Sequence, residues 1–255
     1  MPRPGERAKF AIRYATRHLL ASAAVALLAA MLVFLVWYPA PAARLLDVGP
    51  IYAVVLAVDV VCGPLLTLVL ASPAKPRREL VLDLGLVGLI QLAALGYGLY
   101  ALDSARPVAY VFEQDRLVLV AKNELYTADC PGAAQPCPPA PGLWGIRQYL
   151  VQADRLDEDR MRSLDLSLQG VSPAMRPATW APWNWLDAKF QSALRPLAAL
   201  RADQQEKLAE RQGTAYLARP ELRYVPLVSS KTLDWIAVFD GQGRWLDSLP
   251  VDGFQ

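Results

Sequence analysis

The chain has 255 residues, 54% of them hydrophobic, with 26 Lys and Arg against 24 Asp and Glu for a net charge of +2. Soluble domains average roughly 45–50% apolar residues, so this excess, with a positive mean hydropathy, excludes an ordinary soluble protein. The balanced charge, with no basic stripe, also argues against a nucleic-acid partner.

The first predicted element is an apolar run over residues 19–38, preceded by a basic segment, residues 1–18, with Arg3, Arg7, Lys9, Arg13 and Arg17 against Glu6. About 20 apolar residues cross the ~30 Å core of a bilayer. The positive flank predicts a cytoplasmic N-terminus, with His18 a polar flank at that interface and Trp37 and Tyr38 at the opposite one. Ala40-Pro41-Ala42 mimics a leader cleavage site. The run exceeds the ~7–15 residues of a leader's apolar core and further spans follow, which favours a retained helix.

The second predicted span, residues 51–71, reads IYAVVLAVDVVCGPLLTLVLA and contains Asp59 and Gly63-Pro64. A charge at mid-bilayer costs ~2.5–3.5 kcal/mol on insertion scales, so Asp59 either faces packed protein or has a task. Lys75, Arg77 and Arg78 follow on the side to which this span returns. The third span, residues 80–102, carries Gln91 and leads outward, with Tyr97 and Tyr100 near the far interface.

At ~1.5 Å rise per residue, Asp59 and Gln91 lie ~12 Å and ~16 Å from the same outer interface. Three readings of Asp59 stand: a hydrogen-bonded clasp with Gln91, a contact with a polar group on another membrane helix, or a proton or ion path, weakened by a single acid in three spans. Pro64 lacks an amide hydrogen and is expected to free the Val60 carbonyl and kink the helix. Ser22, Ala26 and Ala30, and Ala94 with Gly98, form small-residue ridges that permit close helix approach. Cys62 reads as a packing residue.

Residues 103–255 have the composition of a soluble domain and are predicted to be extracytoplasmic and α+β. Arg106 to Val120 reads as two strands, or one bent strand, about Glu113-Gln114-Asp115-Arg116. Cys130 and Cys137 flank PGAAQP and read as a short-loop disulfide, with a redox pair as the rival. A zinc site lacks ligands, because this half has no histidine and no third cysteine.

The acidic run Asp154, Asp157, Glu158 and Asp159 reads as a solvated helix start, and a helix from about Asp157 stops at Gly170, although Leu164, Leu166 and Leu168 also fit a strand. Trp180, Trp183 and Trp185 serve either as core plugs or as a contact surface. Leu186 to Arg211 is helical in spacing, divided by Pro196 and ended by Gly213. Arg223 to Val228 and Leu233 to Phe239 are strands, the latter turning through Asp240-Gly241-Gln242-Gly243 into Arg244-Trp245-Leu246. No catalytic constellation, metal cluster or cofactor motif is present, so neither catalysis nor a cofactor is expected. A sensor would need a cytoplasmic output domain, and the predicted cytoplasmic parts are a short tail and a short loop. A membrane-anchored periplasmic sensor or interaction domain unrelated to pili stands as the alternative.

The ordered series WYP, VDVVCGPLLTLVL, LIQLAALGYGLY, ARPVAYVFEQDRL, RPLAALR and RYVPL resembles the type IV pilin accessory proteins of the TfpX/TfpZ type. The likeness runs along nearly the whole chain, strongest from Trp37 to Leu117, weaker at Cys130 to Cys137 and present again from Tyr224 to Phe239. It implies a non-enzymatic, multi-pass protein of the Gram-negative inner membrane that assists a major pilin, with other pilus-assembly components as further partners. The family supplies no binding residues to carry over. Asp59, Pro64 and Gln91 are the candidates for contact with the pilin's hydrophobic N-terminal helix.

Overall fold

The computed structural model describes residues 4–130, 137, 145–152 and 160–254. It divides into two compact units, Met1–Ser104 and Ala105–Gln255. The acidic run at Asp154 to Asp159 lies outside the described residues.

Three long helices, each long and apolar enough to cross a membrane, form the body of the first unit, with a short helix, Ala42–Leu45, after the first. The first begins at Pro4, earlier than its apolar stretch, so Arg7, Lys9, Arg13 and Arg17 ride on helix; after Met31 it ends in a π-helical segment, Leu32–Trp37. The second comprises Val48–Ala57, a π turn over Val58–Cys62, and Gly63–Leu70. The third is one unbroken helix, Arg77–Ser104.

The patterning of this unit is inverted relative to a water-soluble bundle. Leu20, Val69 and Leu89 point outward, each more than 60% exposed, whereas Asp59, Thr67 and Gln91 are buried. Leucine on the outside and polar groups within suit an apolar surrounding, where each polar group must find a partner inside the bundle.

Tyrosines tie the helices together. The Tyr38 hydroxyl donates to the Leu102 carbonyl (2.7 Å) and that of Tyr52 to the Ala26 carbonyl (2.5 Å). Tyr38, expected near an interface, is buried in the bundle, where its hydroxyl finds a carbonyl at the end of the third helix. At the opposite end Phe10 and Tyr14 pack against Ala71 and Leu80, and Lys75 pairs with Asp83 at 2.6 Å.

The second unit is built on an eight-stranded mixed sheet with the order β4-β3-β1-β2-β6-β7-β8, and β5 pairs with β6. Strands β1 (Pro107–Glu113) and β2 (Arg116–Ala121) form the first predicted hairpin, with Gln114 at φ 57° in its turn. Strands β7 (Trp235–Phe239) and β8 (Trp245–Leu249) form the terminal one. There the Asp240 carboxylate accepts from the Gln242 and Arg244 amides at 2.9 Å each, and Gly243 takes φ 82°, which favours glycine. The parallel pairings, β1 with β3 (Arg147–Val151) and β2 with β6 (Arg223–Val228), join segments far apart in sequence.

Each face of the sheet has its own cover. On one, Leu208 of helix Ala202–Gln212 packs with Leu197 and Leu200 onto Tyr224, Ile236 and Val238, while Ala174 and Trp180 pack onto Ala109 and Val111. On the other, Phe190 lies edge-on against Phe112 and Phe239, flanked by Trp183 and Trp185. Pro196 divides the Leu186 to Arg211 stretch by entering β5 (Arg195–Pro196) between helices Ala188–Ala193 and Ala202–Gln212.

The segment before Gly170 is a helix, Arg160–Leu168. Of its three alternating leucines only Leu166 is buried, so the alternation did not mark a strand face. Trp180 (β4, Trp180–Pro182) is a core plug, with its Nε1 donating to the Ala174 carbonyl at 3.0 Å, whereas Trp183 and Trp185 are half-buried.

Candidate functional site

Asp59 sits eleven residues from either end of Val48–Leu70, which places it ~16 Å from both at ~1.5 Å per residue. The depth match with Gln91 holds, but the contact differs from a carboxylate–amide clasp. Gln91 Nε2 donates to the main-chain oxygen of Asp59 at 2.7 Å. Asp59 Oδ1 and Gln91 Oε1 are both buried and accept no hydrogen bond.

The π turn explains the choice of atom. In π register a carbonyl looks five residues ahead for its amide, and for Asp59 that residue is Pro64, which has none. The disturbed carbonyl therefore falls one residue before Val60, the one expected from regular α register, and the Gln91 amide satisfies it. Gly63 makes room: a Cβ there would overlap the Gln91 amide group. Gly98 does the same further along, where a Cβ would lie 2.7 Å from Val55 Cγ2.

Asp59 and Gln91, only 6% and 9% exposed, form the floor of a partly open pocket of about 140 Å³ between the first and third helices. Ala21, Ser22 and Val25 line one wall, and Gly88, Leu92 and Leu95 the other. Of the three residues singled out from the sequence, Asp59 and Gln91 come together here; Pro64 is not in the lining and acts through the backbone.

His18, read as a polar flank, joins the same pocket, and its Nδ1 shares a 2.5 Å hydrogen bond with the Thr67 hydroxyl. Thr67 is 49 residues away in sequence, and nothing local to His18 signals that pairing. Gly63 was legible only as a neighbour of Pro64.

In the second unit Cys130 and Cys137 form the predicted disulfide. Beside it the buried Arg176 guanidinium pairs with Asp129 at 2.8 Å and donates to the Ser163 hydroxyl at 2.9 Å, while Arg162 pairs with the other Asp129 oxygen. This knot fastens the residue before Cys130 to helix Arg160–Leu168 and to the short turns, Pro173–Met175 and Pro177–Thr179, that flank Arg176. Among the described residues no group of three or more His, Cys, Asp or Glu is placed to hold a metal ion.

Over 98% of its length the chain is 32% identical to the fimbrial assembly protein of serogroup I from Dichelobacter nodosus, likewise covering 98% of that protein. The chain belongs to this family of fimbrial assembly proteins. The serogroup E1 protein of the same organism is equally similar, at 32% identity over 98% of both chains. The protein of serogroups C1 and C2 is 39% identical over 128 residues, which is 98% of its length but half of this chain. The model of the family described as fimbrial assembly protein FimB matches residues 6–46, a segment that includes the first-helix wall of the pocket. No solved structure matches the chain.

Proposed function

We propose that the protein is an inner-membrane accessory factor for a type IV pilin, of the TfpX/TfpZ type, that holds the pilin subunit and promotes its assembly without catalysis. The full-length likeness to proteins named for fimbrial assembly carries this proposal. The inverted patterning of the helical unit supports insertion into a bilayer, with the basic N-terminal flank on the cytoplasmic side and the sheet unit in the periplasm. Asp59 and Gln91, at mid-span beside an open pocket, are the residues proposed to meet the pilin's hydrophobic helix, and Pro64 shapes the turn that presents them.

The test is deletion of the gene, counting surface fimbriae while total pilin is measured. Surface fimbriae are expected to fall with pilin retained in the cell. Undiminished fimbriae would refute an assembly role, and loss of the pilin itself would move the role to subunit synthesis or stability.

A further inference from the structure

The geometry points to a docking pocket for one hydrogen-bond donor, an N–H or O–H group, carried at mid-span on the membrane helix of a second protein. Two buried acceptors carry the inference. Asp59 Oδ1 and Gln91 Oε1 accept no hydrogen bond, and both residues, more than nine-tenths buried, line one pocket. In an apolar surrounding an unmatched acceptor is costly, so a donor brought into this pocket relieves part of that cost.

Depth and size select the occupant. Asp59 is at the midpoint of its helix, ~15 Å from either face of a ~30 Å core, so a lipid headgroup held at the interface does not reach it. A pocket of about 140 Å³ suits a single side chain. It opens between the first and third helices, past Val25 and Leu92, whose neighbours Leu28 and Leu89 face outward, so a helix lying in the membrane has access from the side.

A second copy of this chain offers at that depth only the weak thiol donor of Cys62, besides Ser22 and Gln91, which line the pocket themselves. A different protein with an apolar helix and one polar donor is the better match. The inference rests on the proposal that the client is a pilin.

The test places a photoreactive residue at Ala21 or Leu95, on the pocket walls, and separately at Val54 or Val69, on the outward face of the second helix. Each full-length variant is irradiated in membranes of cells that make the pilin. Pilin adducts are expected from the two wall positions, and Asp59→Leu should lower their yield about tenfold while Asp59→Asn, which keeps an acceptor, retains most of it. Leucine suits a membrane helix and no hydrogen bond within the bundle uses Asp59 Oδ1, so protein level serves as the folding control.

Phospholipid or self adducts alone at the wall positions would overturn the pocket. So would pilin captured chiefly from Val54 and Val69, which leaves the pilin proposal standing, or an Asp59→Leu yield equal to that of the parent. Absence of pilin adducts from all four positions would overturn the pilin proposal and this inference together.

Discussion

Gln91 Nε2 reaches the backbone oxygen of Asp59, 32 residues earlier in the chain, and leaves the Asp59 carboxylate oxygen Oδ1 unpaired. The two residues therefore have separable roles: Gln91 holds the bundle, and the Asp59 side chain does not. Gln91→Leu removes one hydrogen bond from an apolar interior and is expected to cost about 0.6–1.7 kcal/mol. Asp59→Leu is expected to leave stability unchanged or raise it, because it removes an unmatched polar group. Thermal unfolding of the detergent-solubilised protein decides between them; equal losses would mean that the side chains clasp one another after all.

At Gly63 the second helix takes in the Gln91 side chain of the third. Gly63→Ala pushes the Gln91 amide off the Asp59 carbonyl, with an expected cost of about 1–3 kcal/mol from overpacking. Gly85→Ala, with open space at its Cβ, is the control and should be neutral or slightly stabilising through helix propensity. The same unfolding measurement applies, and parity between the two variants would contradict the close approach.

Arg176 is the buried half of an ion pair whose side chains are 7% and 10% exposed. Arg176→Ala leaves the Asp129 carboxylate to the half-exposed Arg162 alone and strips Ser163 of its donor, and is expected to destabilise the sheet unit by about 1.5–3 kcal/mol. Arg201→Ala, which breaks a solvent-screened pair with Asp252, should leave the unfolding midpoint nearly unchanged. Denaturant titration of the full-length protein, followed by tryptophan fluorescence, separates the two.

The disulfide sets the thiol count. Protein taken from the envelope and unfolded without reductant should react with one maleimide, at Cys62, and with three after reduction. The closed loop contributes ~2 kcal/mol by the chain-entropy model, so reduction should lower the unfolding midpoint measurably. Three reactive thiols before reduction would place this segment in a reducing compartment.

Asp240 ties stability to pH. The Arg244 amide, the strongest influence, and then the Arg244 side chain and Gln242 amide hold its carboxyl below the ordinary carboxylate range. A carboxyl lowered on folding stabilises the fold above its unfolded pKa of ~3.9, and that contribution is lost as pH falls through the folded value. Hydrogen exchange of the β7–β8 peptide, corrected for intrinsic rates, should show protection declining below pH ~4 in the parent. Asp240→Ala should be less protected at neutral pH and should converge with the parent in acid; a constant difference would show that the turn does not depend on the charge.

Much of this was legible because its causes are local. Three apolar runs of membrane length became three helices, and Asp240-Gly241-Gln242-Gly243 became the terminal turn, since Asp240 caps its own loop. Leu164, Leu166 and Leu168 were ambiguous because alternation and helical spacing overlap in so short a run, and only packing showed that Leu166 alone is buried. Trp183 and Trp185 were equally undecidable until Phe190 and Phe239 were brought against them from two other segments.

The carboxylate in the middle of the second span, the proline after it and the matching depth of Gln91 are properties of the sequence, because rise per residue is constant along a helix and depth can be counted. Rotation about the helix axis cannot be counted in the same way. A single π turn moves the register by one residue, turns the Asp59 carbonyl to Gln91 and its carboxylate to the pocket, and brings Thr67 to His18. Helix packing decided those contacts, through Gly63 and Gly98, because only adjacent helices fix which side of each one is turned inward.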